Sequence, residues 1–149
     1  MKKQTIISKL FLAIFIAVIT LGACTKEEPE PEPVDIRDQY IGSYSMKEEC
    51  GTNDDEYTIS ISKVGFGKEV EVFNLYNAGK RSTAFVRTNG ELDLNNTNVG
   101  EYGNCDVGIT NASGMMNANK LTIVFDIEDV GVNFGCNPFS FSCIAVGYK

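Results

Sequence analysis

The sequence predicts an all-β domain, a small antiparallel meander barrel or sandwich of about eight strands. Three observations predict this fold. Apolar and polar residues alternate with the period of two of half-buried strands, most clearly at Tyr57, Ile59 and Ile61. The apolar runs are short, and clusters of Gly, Asn and Asp separate them. The apolar spacing of an amphipathic helix is missing from residues 36–149.

The strands follow from this alternation in chain order. Thr88-Asn89-Gly90-Glu91 predicts a hairpin with a type I′ turn, since Asn-Gly suits positive φ at both central positions. Residues 95–104 are rich in turn formers, and residues 112–120 predict a connection. The predicted strands are 40–46, 56–64, 68–76, 82–87, 92–94, 106–113, 120–126 and 139–148.

Length and charge bound the organisation. The chain has 149 residues with 13 basic and 20 acidic side chains, which fits one folded domain, assigned to residues 36–149. That domain carries a net charge of −6, which argues against nucleic acid and anionic membrane surfaces as partners and is compatible with cations or neutral partners. The chain has no His, which excludes His-dependent nucleophilic sites and His-ligated metals.

The N-terminus predicts a signal peptide over residues 1–23. A basic start at Lys2, Lys3 and Lys9 precedes the apolar run 10–21, which is shorter than the roughly 20 residues of a membrane-spanning helix. Leu21-Gly22-Ala23-Cys24 resembles the lipobox of bacterial lipoproteins. The resemblance implies cleavage before Cys24 and acylation of that residue, so that the chain is held in the outer membrane by covalent lipid.

An acidic, Pro-rich tether follows the lipidated cysteine, over residues 24–35. Lys26, Glu27 and Glu28 resemble the export signal of surface lipoproteins in Bacteroidota, in which a Lys and two acidic residues follow the lipidated Cys. The resemblance implies a domain that faces the cell exterior. A periplasm-facing lipoprotein with a merely acidic tether is the alternative.

The first predicted strand also resembles that of small lipocalin-like lipoproteins. The resemblance is carried by Tyr40-Ile41-Gly42-Ser43-Tyr44 after an acidic tether, although Tyr44 stands where lipocalins have Trp and the chain is shorter than a full lipocalin. It implies an up-and-down barrel. Eight strands enclose either a filled interior or room for one small ligand.

Four cysteines lie in the predicted domain: Cys50, Cys105, Cys136 and Cys143. An even number in an exported domain predicts two disulfides. In a closed meander the first and last strands are antiparallel neighbours, so Cys50, at the end of the first, meets Cys136 or Cys143. We favour Cys50 with Cys143 and Cys105 with Cys136. Zinc is the rival, but no pair has the two-residue spacing of a zinc knuckle.

Two acidic clusters are candidate sites. Asn53, Asp54, Asp55 and Glu56 group the oxygen ligands that Ca²⁺ takes, although tight turns also prefer these residues, and we predict no metal and no cofactor apart from the lipid. A second cluster offers the paired carboxylates of a glycosidase. Its two members on one strand face are Asp126 and Glu128.

Aromatic residues lie in or beside the predicted loops. Such rings either recognise carbohydrate or protein or complete the core at a barrel end, and the second interpretation is favoured. They are Tyr102, Phe134, Phe139 and Phe141.

The predicted function is a non-catalytic binding or interaction module on an outer-membrane lipoprotein, with an unidentified protein, glycan or small apolar ligand as partner. A lipocalin-like carrier of a small apolar ligand is the alternative, and a carboxylate-based hydrolase is the second. The predicted inward-facing residues are bulky enough to fill a small barrel, which favours the module over the carrier. They are Tyr44, Ile59, Ile61, Val72, Phe85, Ile123 and Phe125.

Overall fold

The structure is a computed structural model that describes residues 33–51, 53–131 and 135–149. Within these residues Val34–Lys149 forms one compact unit. Neither of the helices described there is long and apolar enough to cross a membrane. Five sequence-predicted functional residues lie outside the described ranges, and their roles stay predictions: Cys24, Lys26, Glu27, Glu28 and Phe134.

The described residues form nine strands and two short 3₁₀ helices. The helices are Ile36–Gln39 and Leu75–Asn77. The strands are β1 (Gly42–Cys50), β2 (Asn53–Lys63), β3 (Glu69–Phe73), β4 (Arg81–Val86), β5 (Glu91–Leu94), β6 (Thr97–Tyr102), β7 (Cys105–Asn117), β8 (Lys120–Asp129) and β9 (Ser140–Tyr148).

The sheet closes into an antiparallel barrel of eight strand positions within the described residues. Strands β1 to β5 pair in chain order, strands β7 to β9 do the same, and β9 pairs with β1. β5 and β6 share one edge of β7, since β5 lies opposite Ser113–Met115 and β6 lies opposite Cys105–Ile109. The predicted all-β meander barrel is therefore confirmed, and so is the antiparallel pairing of its first and last strands.

Alternation places one face of the strands other than β6 inside the barrel, where the side chains fill the interior. The prediction that Phe85 faces inward is wrong. Phe85 is 47% exposed on the outer wall, and Ala84 and Val86 point inward. A one-residue error in the period of two moves a side chain to the opposite face. Inward residues with no more than 2% exposure include Tyr44, Met46, Ile59, Ile61, Val72, Leu92, Ile123 and Phe125.

Two predicted connections are strands. β7 continues to Asn117, through residues predicted as a connection, because this half of the strand pairs with β5 on one side and with β8 on the other. β6 forms in the turn-rich segment 95–104 by pairing with β7. Both cases show tertiary pairing overriding local composition.

The predicted hairpin between β4 and β5 is confirmed, but its turn type is wrong. The amide of Gly90 donates to the carbonyl of Arg87, and Gly90 has a φ of 83°. Asn89 is not among the described residues with positive φ, which a type I′ turn requires there. Gly90, the residue with the left-handed backbone, therefore follows the two central positions of the turn instead of occupying one of them.

The 3₁₀ helix Ile36–Gln39 closes the barrel end at which the domain begins. Arg37 is the buried residue of this helix, and its guanidinium donates to the carbonyls of Val64 and Gly65, at 3.3 and 3.2 Å. The Tyr40 hydroxyl donates to the carbonyl of Gly90 in the β4–β5 turn. Lys149 closes the remaining side by donating to the carbonyl of Gln39 at 3.0 Å. We call this the closed end.

Candidate functional site

The opposite end of the barrel is open. Four connections meet there: β1–β2, β3–β4, β6–β7 and β8–β9. Between them lie two adjoining depressions of about 570 and 670 Å³, which share Asn53, Tyr76 and Phe141. We call this pair of depressions the open mouth. The volume of each depression is in the range of small-molecule binding sites.

The mouth is open because β6 leaves the barrel wall. β5 pairs with β4 on one side and β7 on the other, whereas the pairing found for β6 is with β7. The register of β6 shifts between Asn98 and Gly100, and Gly100 has a φ of 145° that favours glycine. Val99 through Tyr102 consequently line the mouth instead of packing against β4.

A strained connection forms the facing side. Asn74, Tyr76 and Asn77 all have positive φ, which is uncommon for residues other than glycine. The Asn74 side chain holds this shape by donating to the carbonyl of Thr58 and accepting from the amide of Gly79, both at 2.8 Å. Because these bonds fix the connection, the Tyr76 ring lies beside the mouth and meets the edge of a core aromatic ring.

Aromatic rings surround the mouth. Tyr102 is 78% exposed and Phe141 is 51% exposed, and Phe139 stacks on Phe141 with ring centroids 5.6 Å apart. The favoured interpretation of these residues as core closure is therefore wrong for Tyr102 and Phe141. Phe139 packs partly against the core. Exposed rings beside a cavity suit recognition of a ligand with an apolar face.

The mouth also contains a buried carboxyl group, that of Glu48, which was not among the predicted site residues. Glu48 is 2% exposed and occupies the next inward position of β1 after Tyr44 and Met46. It lines the mouth and accepts a hydrogen bond from the Tyr57 hydroxyl, whose oxygen accepts from the amide of Tyr76 at 3.2 Å. The sequence does contain a signal for this position, because Glu48 continues the alternation of Tyr44 and Met46 by two residues.

Burial sets the protonation of this pair. Desolvation raises the pKa of Glu48, the hydrogen bond from Tyr57 opposes that rise, and the charge of Asp55 adds to it. Desolvation, with the hydrogen bond to Glu48, holds the pKa of Tyr57 far above its usual range. Tyr57 is therefore a fixed neutral donor, and Glu48 is the group here whose charge responds to pH.

The mouth has an acidic lining. Four acidic residues, Glu48, Asp54, Asp55 and Glu101, are among the described residues that line it, and no Lys or Arg is among them. Lys47 lies nearby, with its ammonium 4.0 Å from the Asp54 carboxylate, and both side chains are exposed. The lining is therefore a region of negative potential with only partial screening from the protein.

The predicted calcium ligands lie at this end but on a strand. Asn53, Asp54, Asp55 and Glu56 are the first residues of β2, opposite Cys50 to Lys47 of β1, so the turn interpretation is wrong here. Successive side chains of a strand point to opposite faces, which divides the four between two sides. Calcium binding by these residues stays a prediction.

The two predicted disulfides are confirmed, and both lie at the mouth end. Cys50 and Cys143 are directly opposed on β1 and β9, and their bond ties the first strand to the last. Cys105 and Cys136 join the start of β7 to the connection before β9. A carboxylate oxygen of Asp129 lies 3.1 Å from the Cys136 sulfur. These three form the described cluster with metal-ligand spacing, but its sulfurs are bonded to each other.

The predicted hydrolase pair lies away from the mouth. Asp126 and Glu128 are on the outer face of β8 and do not line either depression. Asp126 accepts hydrogen bonds from Ser142 at 2.6 Å and Asn111 at 3.0 Å. These bonds lower the pKa of Asp126. Its position suits a structural acceptor that links β7, β8 and β9 better than a proton donor.

Comparisons with known proteins do not assign this chain to a family. No family model matches the chain, and neither the curated proteins nor the solved structures contain a match to it.

Proposed function

We propose that this chain is a lipid-anchored lipoprotein of the outer membrane whose barrel is a non-catalytic binding module displayed outside the cell. The open mouth is the observation that carries the binding part of the proposal. It combines a cavity, exposed aromatic rings and polar side chains, which are features that small-molecule sites share. The lipobox and the export signal in the sequence carry the part that concerns location.

The filled interior favours a ligand at the mouth over the alternative carrier of an internal ligand. Tyr44, Met46 and Phe125 occupy the barrel with at most 1% exposure. A carrier of the lipocalin type needs small side chains at such positions to leave an internal chamber. The mouth therefore supports binding of a ligand that remains partly accessible to solvent.

The polypeptide enters the described domain at the closed end of the barrel. The described domain begins at Val34, and the 3₁₀ helix that follows closes the end opposite the mouth. This entry point leaves the open mouth at the other end of the described barrel.

Location is tested in intact cells by two measurements. Incorporation of labelled palmitate tests the anchor, and Cys24→Ala is expected to abolish it while the neighbouring Thr25→Ala retains it. Labelling by a membrane-impermeant amine reagent tests exposure outside the cell, and replacing Lys26, Glu27 and Glu28 by Ala is expected to abolish that labelling alone. Palmitate on Cys24→Ala, or no surface labelling of the parent chain, would contradict the corresponding part of the proposal.

Binding at the mouth is tested by screening neutral glycans, alcohols and organic amines against the oxidised full chain. Tyr102→Ala and Phe141→Ala are expected to weaken any hit by about tenfold, since an aromatic contact contributes on the order of 1 kcal/mol. Phe85→Ala is the matched control, because Phe85 is exposed on the outer wall. Equal loss in all three variants would place the ligand elsewhere.

A further inference from the structure

We infer that the open mouth selects a small organic cation, an amine or quaternary ammonium compound with an alkyl body. This inference rests on the proposed function, because it names the ligand class of the same site. Three observations carry it: the acidic lining, the aromatic rings shared by the two depressions, and a buried carboxylate at the base.

Charge excludes anions from the mouth. Its two depressions are lined by Glu48, Asp54, Asp55 and Glu101 without a Lys or Arg among the described lining residues. An anionic ligand would meet this acidic lining, and Lys47, which lies beside Asp54, offsets its charge only in part. A cation entering the same space would neutralise part of this charge, and walls of low dielectric strengthen that attraction.

The aromatic rings favour an organic cation with an apolar body. Tyr76 and Phe141 line both depressions, so a ligand that bridges them contacts both rings. The face of an aromatic ring attracts an ammonium group, and its surface also covers alkyl groups. The outer position of Tyr102 extends this surface toward solvent.

The buried carboxylate gives the site its selectivity. Glu48 lines the mouth with 2% of its surface exposed, and its hydrogen-bond partner among the described residues is the neutral Tyr57 hydroxyl, so the ionised form of Glu48 has no counter-ion among those partners. A carboxylate has two oxygens and about four acceptor positions, so the single bond from Tyr57 leaves capacity for a ligand N–H or a close ammonium group. A neutral ligand of the same shape does not supply this charge.

A bare metal ion fits the same groups less well. Ca²⁺ takes six to eight oxygens at short distance. Within the described residues, the mouth carboxylates are not among the groups of three or more ligands that lie within 4.8 Å of one another. Carboxylates spread around an aromatic cavity suit the diffuse charge of an organic ion.

The test compares choline with 3,3-dimethyl-1-butanol, its neutral isostere, by calorimetry on the oxidised full chain in polyoxyethylene detergent. We expect choline to bind at least about tenfold more tightly, which corresponds to about 1.4 kcal/mol. Glu48→Gln is expected to remove about tenfold of the choline affinity and to leave binding of the alcohol unchanged. Glu49→Gln is the matched control, because it removes the same charge from the neighbouring exposed position of β1.

Because Glu48→Gln changes a buried residue and could affect folding, Asp55→Asn serves as a second variant at an exposed residue of the mouth. It is expected to weaken binding of choline and to leave binding of the alcohol unchanged. Equal affinity of the two probes, or choline binding unaffected by both Glu48→Gln and Asp55→Asn, would overturn the cation inference while the mouth remains a binding site. Failure of choline to bind at all would also overturn it. The proposed function fails separately, if no screened ligand is weakened by Tyr102→Ala or Phe141→Ala.

Discussion

Glu48 of β1 accepts a hydrogen bond from Tyr57 of β2 across a diagonal of the sheet, since Tyr57 lies directly opposite Met46 and Glu48 lies opposite Asp55. The two side chains share the inner face of the barrel at its open end. This pair introduces an ionisable group into the barrel interior. Its consequences for stability are measurable without knowledge of the ligand.

The first prediction concerns the pH dependence of stability through Glu48. Burial raises the folded-state pKa of Glu48 above its value in the unfolded chain. The folded state therefore binds this proton more tightly, and the resulting stabilisation is fully present below the unfolded pKa and is lost as pH rises through the folded pKa. We expect Glu48→Gln to be more stable than the parent chain at neutral pH, with a difference that shrinks toward acid pH.

Urea unfolding of the oxidised chain between about pH 4 and pH 8 measures this difference. Asp55 and Tyr76 also face Glu48, and neither changes in the variant. Glu49→Gln, on the exposed face of β1, is expected to follow the parent curve. Parallel curves for Glu48→Gln and the parent chain would contradict the prediction.

The second prediction ranks the two disulfides. They join residues 93 and 31 positions apart, and the loop-entropy model assigns about 4.5 kcal/mol to the longer loop and about 3.5 kcal/mol to the shorter. We therefore expect the double replacement of Cys50 and Cys143 by Ser to lower the free energy of unfolding more than that of Cys105 and Cys136. Urea unfolding measures both, with the parent chain as reference, and the reverse order would contradict the loop argument.

The third prediction separates the mouth from the core. Tyr102→Ala and Phe141→Ala remove exposed rings and are expected to change the free energy of unfolding by about 0.5 kcal/mol or less. Phe125→Ala removes a ring with 1% exposure and is expected to cost about 3–5 kcal/mol. Thermal and urea unfolding measure these values. A large loss in either mouth variant would show that its ring stabilises the fold.

The fourth prediction concerns close packing between β1 and β9. A Cβ at Gly147 would clash with the Met46 sulfur and lie 3.1 Å from the carbonyl oxygen of Ser45. Gly147→Ala is expected to cost about 1–3 kcal/mol of stability through overpacking. Adding Met46→Ala removes the side-chain part of the clash, so the double variant is expected to lose less than the sum of the two single losses. Additive losses would contradict the packing argument.

Local patterning predicted the strands well where one face is buried. In Glu56–Val64 the alternation alone predicted which residues point inward, because a strand with one wet face repeats every two residues. The same rule failed by one position at Phe85, since apolar residues of β4 occur at both alternating sets of positions, Phe85 on one face and Ala84 and Val86 on the other. It also failed for β6, whose pairing with β7 depends on residues that its own sequence does not contain.

The sequence by itself determined the all-β class and the antiparallel pairing of the first strand with the last, because strand periodicity is local and a closed meander makes its first and last strands neighbours. It favoured the disulfide pairing that the structure has, but left Cys136 open as the alternative partner of Cys50. Only the tertiary structure decided where a ligand site lies. The mouth depends on β6 leaving the wall beside a strained connection, and it brings together Glu48, Tyr76, Glu101 and Phe141 from four distant parts of the chain. Their proximity follows from barrel closure, which no local pattern encodes.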